Sequence, residues 1–190
     1  MLEKPNAGWT KVCIGDFIDR ASYITDVPVK CLKAFINGYS SNLPIAINFD
    51  AEGHEYLLIV DYYETHIITD EDTEYIVNRD YSLISFDVKR NDLAKELIND
   101  IESNLEEWVQ WDLFIDDGVN SVERREELTQ LIEELKALID KSERRSEESW
   151  QTAMDFINSS KQVVQVSSNE ELQAHLEKEK NSEVINVYIK

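Results

Sequence analysis

The chain predicts an α+β protein, and two changes of period along its 190 residues carry that prediction. Apolar residues recur at helical spacing from about Asp26 to residue 42, alternate with a period of two from Leu43 to Val88, and return to helical spacing from Lys89. A hydrophobic content of 42% over this length is enough for a substantial core and far too much for a disordered tail. The expected architecture is an antiparallel β-meander packed with an N-terminal helix and an acidic helical pair, followed by a small strand-helix-strand tail. Residues 1–142 form the main domain on this reading, with the sheet at about 43–88 and the helical pair at about 90–141; residues 143–190 form the appendage.

Each element has its own signals. WTKVCIGDFI reads as a short first strand. A helix follows in which Asp26 caps, Pro28 occupies the first turn, Val29, Leu32, Phe35 and Ile36 form the apolar face, and Gly38 suits the stop. In IAINFDAEGHEYLLIV, Ile45, Ile47 and Phe49 alternate with small or polar residues, DAEG supplies a turn, and the apolar run that follows suggests a central strand covered on both faces. THIITDEDTEYIV reads as a further hairpin about an acidic tip, and YSLISFDV as the last strand.

From Lys89, Leu93, Leu97, Ile101, Leu105 and Trp108 make one helical stripe, which ends near DDG. Asn120 with Glu123 resembles a capping box, and Leu128, Leu131, Leu135 and Leu138 follow at spacings of three and four. Two heptads fall short of the three or four that argue for a coiled coil, so an antiparallel helix pair over the sheet is expected. KSERRSEES, residues 141–149, has no apolar residue and reads as either a helical bridge or a linker. Trp150, Ala153, Met154 and Ile157 suggest another helix, and the remainder reads as strand, helix capped by Ser168 and Glu171, strand. So short a unit cannot bury its own surface, so its strands are expected to join the main sheet or pair with another chain.

Motifs for chemistry are weak. His54, Glu55, Glu64 and His66 are metal-ligand types, yet in one extended strand the two histidines lie about 40 Å apart. A turn at DYYE, residues 61–64, sets His66 opposite Ile59 and His54 opposite Glu71, which also keeps the histidines apart. The acidic tip fails the calcium-loop pattern, with Tyr75 where the loop needs Gly and Tyr81 where it needs the bidentate Glu; DLFIDDGVN fails too, with Phe114 at a ligand position. No nucleophile elbow, phosphate-binding glycine loop, zinc-protease helix or dinucleotide fingerprint is present. Cys13 and Cys31, the two cysteines, belong to no CxxC motif and read as small buried thiols in a reducing compartment, with a disulfide between them as the alternative. No catalytic, cofactor-binding or metal-binding residue is therefore assigned, and a small hydrolase with an unrecognised site stands as the least favoured alternative.

Charge is the strongest functional signal. The net charge of −20 disfavours direct binding to nucleic acid or to an anionic membrane. The excess is densest in residues 91–142, which hold 15 acids against 5 bases. Glu126, Glu133 and Asp140 repeat every seven residues with Glu127 and Glu134 beside them, and Arg124, Arg125 and Lys136 are the nearby bases that relieve the crowding. Trp111, next to this region, has the composition of an interface anchor, although a core position suits it as well.

The expected function is non-enzymatic: an acidic cytoplasmic binding protein that neutralises or regulates a basic protein partner. An immunity protein that blocks a toxin, such as a nuclease, is the concrete form, and it is similar to that class in size and acidity alone. The expected contact residues are Trp111, Asp116, Asp117, Glu126, Glu127, Glu133 and Glu134. The alternative is an assembly module that forms homo-oligomers by strand addition through EVINVYIK. The cytoplasmic placement rests on the absence of an apolar run near the roughly 20 residues of a membrane span, and of a signal-like N-terminus.

Overall fold

A computed structural model describes residues 1–70, 81–111, 121–159, 163–166 and 186–189. The chain forms two compact units, Met1–Ser142 and Glu143–Lys190. The first is α+β. It holds β1 (Trp9–Ile14), β2 (Phe17–Ser22), α1 (Val27–Ser41), β3 (Ile45–Asp50), β4 (Glu55–Val60), β5 (Thr65–Asp70), β6 (Tyr81–Phe86), α2 (Arg90–Ser103), α3 (Leu105–Val109) and the first part of α4 (Ser121–Ser159).

The meander is present as four antiparallel strands in the order β3-β4-β5-β6. Its register follows the alternation of apolar residues. Ile47 faces Leu58, Leu58 faces Ile67, and all three are buried, so a slip of one residue would turn this whole row into water. The turn falls at Asp61–Glu64 and sets Ile59 opposite His66, as the polar DYYE stretch predicts. Of β4, however, only Tyr56, Leu58 and Val60 are buried; Leu57 and Ile59 on the other face are partly exposed, so this strand is covered on one face rather than two.

WTKVCIGDFI is more than one strand. β1 and β2 form a hairpin in which Ile14 faces Phe17 across a two-residue turn, and Gly15 takes the positive φ of 59° that the first turn position needs. This hairpin lies against the sheet, with the Tyr56 hydroxyl donating to the Arg20 carbonyl at 3.1 Å.

α1 begins as predicted: the Asp26 carboxylate accepts from the Val29 amide at 3.5 Å, and Pro28 sits in the first turn. It does not stop at Gly38. The helix continues to Ser41, and Asn42 ends it in the left-handed conformation, with φ 57° and ψ 40°. Gly38 serves packing instead, because a β-carbon there would overlap the Ile45 side chain of β3, whose Cδ1 lies 3.0 Å away. Ala normally stabilises a helix interior by about 1 kcal/mol over Gly. Here Gly38→Ala is expected to reverse that sign and destabilise by about 1–3 kcal/mol through overpacking, with Ile45→Ala relieving part of the loss in the double variant. Chemical denaturation of the three variants checks it; an unchanged or raised midpoint for Gly38→Ala would show that the helix and strand have room.

The single stripe from Lys89 is two helices. Asn104 (φ −126°, ψ 31°) breaks the run between α2 and α3, while Leu93, Leu97, Ile101 and Trp108 remain buried. α4 is a continuous helix of 39 residues, so KSERRSEES is helical and Trp150 belongs to the same helix rather than a new one. Its buried line is Leu128, Ile132, Leu135 and Ile139, with Leu131 and Leu138 only partly covered. Spacings of four, three and four replace the expected three, four and three, because the helix turns its core face slightly toward the isoleucine side. α4 packs beside α2 and α3 through ion pairs of its exposed edges, Arg125 with Glu106 and Lys136 with Glu102.

In the second unit, β7 (Val163–Val166) and β8 (Asn186–Ile189) pair with each other in parallel, in a sheet of their own. Thus they do not join the meander. The Ser168–Glu171 cap lies outside the described residues.

Candidate functional site

The acidic helix and its surroundings are the site that sequence reasoning favours, and the structure distributes its charges unevenly. Glu126, Glu133 and Glu134 are exposed on α4. Two of the expected residues already have intramolecular partners: Glu127 takes Lys33 at 2.9 Å and Glu133 takes Lys136 at 3.0 Å, both pairs being solvent-exposed and easily exchanged. Glu126 and Glu134 have no such cation among the described residues.

The arginines expected to relieve this face do something else. Arg124 is buried and makes a forked pair with Asp26, at 2.6 Å and 2.7 Å, while its Nε donates to the Trp108 carbonyl at 3.2 Å. The carboxylate that caps α1 therefore also receives a guanidinium from α4. Arg125 reaches across to Glu106, with one of its hydrogen bonds at 2.6 Å. The Glu106 carboxyl is held below its usual range chiefly by that hydrogen bond, and Arg125 is raised by the same contact. Both cations thus leave the outward face of α4 to its carboxylates.

Trp111 lies in the core. It is 4% exposed and packs on Trp108, with ring centroids 5.3 Å apart and planes inclined at 43°. The expected surface anchor is thus an internal one. Asp116 and Asp117 fall outside the described residues.

The histidines take separate partners. His54 Nε2 is 2.6 Å from an Asp19 carboxylate oxygen on β2, whereas His66 Nδ1 is 2.9 Å from the Ser85 hydroxyl on β6. Among the described residues no group of three or more His, Cys, Asp and Glu side chains is placed to share a metal ion. Cys31 is fully buried, and burial pushes its thiol up to about 12, so it is neutral at physiological pH and offers no thiolate. Cys13 is only partly buried, and its Sγ approaches the Glu3 carboxylate at 3.7 Å.

Sequence reasoning passed over one surface feature. The DYYE turn carries two exposed aromatics, Tyr62 at 42% and Tyr63 at 74%. Beneath them Arg90 is buried, with its guanidinium 4.1 Å from the Tyr62 ring and 5.2 Å from the Tyr39 ring, and donates to the Leu43 carbonyl at 2.6 Å. Two adjacent tyrosines in an otherwise polar turn are the signal the sequence offers for it. Among the described residues no helix is long and apolar enough to cross a membrane. No family model matches the chain, and no curated protein or solved structure is significantly similar to it.

Proposed function

We propose that the protein is a non-enzymatic acidic binding protein that captures a basic protein partner through the outward face of α4. The observation that carries this reading is the separation of charge about that helix. Glu126, Glu133 and Glu134 point to solvent, while Arg124 and Arg125 are drawn away to Asp26 and Glu106. Carboxylates at positions 126, 133 and 140 recur about every 10 Å along the axis, which suits a partner with several spaced lysines or arginines. Glu127 and Glu133 would exchange Lys33 and Lys136 for partner cations at little cost, since exposed pairs contribute about 0–1 kcal/mol. Trp111, being in the core, is not part of this surface. A toxin such as a nuclease, neutralised by its immunity protein, remains the concrete form of the proposal, in the cytoplasm. In the alternative, strand addition through the tail, β8 pairs with β7 along one edge and would offer its other edge to a second chain.

Glu126→Lys combined with Glu133→Lys is expected to slow association with the recovered basic partner by about tenfold at low salt and to flatten its salt dependence. Stopped-flow measurement of the association rate against ionic strength checks this. Unchanged rates and an unchanged salt slope would remove α4 as the site.

A further inference from the structure

We propose that the β4–β5 turn, Asp61-Tyr62-Tyr63-Glu64, is a docking ledge for an arginine side chain of a protein partner. The inference rests on the preceding section only in taking the partner to be basic; the surface is a different one from α4.

Three observations support it. The first is exposed apolar area: Tyr63 at 74% and Tyr62 at 42% in the turn, with Leu43 at 58%, present apolar surface to water. The second is a fixed geometry. Asp61 Oδ1 accepts from both the Tyr63 and the Glu64 amides at 2.8 Å, the Asp61 amide donates to the Glu64 carbonyl at 3.1 Å, and the Tyr62 hydroxyl donates to the Asn42 side chain. A ledge held this way loses little freedom when a partner arrives.

The third observation is charge. With Oδ1 of Asp61 taken by the two amides, Oδ2 makes no hydrogen bond among the described residues. The two amides also hold the carboxyl below its usual range, which keeps it ionised in mildly acidic solution. Glu64, the next residue after Tyr63, is also exposed, with one carboxylate oxygen 3.9 Å from His66 Nε2, a loose pair that a guanidinium can displace. An exposed ring in a turn that also carries two carboxylates is complementary to a guanidinium, which stacks on the aromatic face while its N–H groups reach a carboxylate. The molecule already sets one guanidinium against an aromatic of this turn, since Arg90 lies 4.1 Å from the Tyr62 ring. Lysine, a compact and strongly hydrated point charge, gains the carboxylate but little from the ring.

The test is a titration of the full chain, followed by amide and aromatic NMR, with an oligo-arginine peptide and an oligo-lysine peptide of equal length. Oligo-arginine is expected to shift the Tyr63 ring and Glu64 amide signals saturably, and oligo-lysine to do so more weakly. Tyr63→Leu, which keeps apolar area without the ring, should weaken oligo-arginine binding about two- to fivefold, and Tyr63→Phe should restore it. Asp61→Asn keeps the turn's acceptor and removes the charge, and should weaken binding by a similar factor. Equal shifts with both peptides, wild-type binding by Tyr63→Leu, or shifts at Tyr63 that depend on protein concentration without peptide would each overturn the ledge. Shifts confined to Glu126 and Glu133 would also overturn it and leave the α4 proposal standing. Shifts confined to Tyr62, Tyr63 and Glu64 would support the ledge and count against α4.

Discussion

Trp111→Ala is expected to destabilise the folded chain by about 3–5 kcal/mol, the range for removing a large buried aromatic. At 4% exposure and packed on Trp108, the indole contributes to the core between α3 and its neighbours. A surface anchor would behave differently, since truncation at an exposed site changes stability by no more than about 0.5 kcal/mol and acts on binding instead. Urea denaturation at constant m-value separates the two. Neither the Trp111 nor the Trp108 indole nitrogen has a hydrogen-bond acceptor among the described residues. Trp111→Phe is therefore the informative companion: it keeps most of the packing and removes an N–H that is costly to bury unpaired. It should lose much less than Trp111→Ala. A midpoint for Trp111→Ala equal to that of the parent would place the indole at the surface and return it to the candidate interface.

Arg124→Ala carries the second large effect, a loss of about 2–4 kcal/mol. Removing one member of a buried pair typically costs about 3–5 kcal/mol, because the other charge is left without compensation. The expected value is lower here because Asp26 keeps 24% of its side-chain surface in water while Arg124 keeps 3%. Three contacts disappear together: the two-pronged bond to Asp26 and the Nε bond to the Trp108 carbonyl. They tie α4 to the cap of α1 and to α3, so the substitution should also loosen the start of α1. Arg124→Lys should recover only part of the loss, since an ammonium cannot make a two-pronged contact. Asp26→Asn keeps a capping oxygen and removes the charge, which makes it the proper partner for a double-mutant cycle. A coupling energy above about 1 kcal/mol is expected, and one within about 0.3 kcal/mol would show that the pair acts as two independent residues.

These two side chains also mark the limit of what was legible in the sequence. Periodicity, caps and turn residues are local, and wherever local information suffices the prediction and the structure agree. Ile45, Ile47 and Phe49 define one face of a strand, and the polar DYYE stretch places the turn. Together they imply the pairing of Ile59 with His66 that the sheet contains. Asp26 and Pro28 mark the start of α1 in the same way. β2 escaped because its local signal is poor: in FIDRAS the two central residues are both charged, and Ile18 is 63% exposed. The candidate acidic face was legible as a heptad of carboxylates.

Tertiary structure alone decided which of the nearby cations neutralise that face and which aromatics reach the surface. Arg124 and Asp26 are 98 positions apart, so nothing in the helical pattern of either distinguishes a buried pair from two solvated charges. Gly38 looked like a helix stop because glycine has two uses, a left-handed terminus and a close approach, and only the position of Ile45 tells them apart. Trp111 lies inside and Tyr63 outside for a related reason. A residue's type sets how much apolar surface it carries, but whether that surface is covered depends on elements far away in the chain. By itself the sequence determined the strands of the meander and the starts of α1, α2 and α4, through signals a few residues long, and the excess of negative charge through composition. The separation of the carboxylates of α4 from their arginines, and the exposure of the Tyr62–Tyr63 ledge, arose only when distant segments packed.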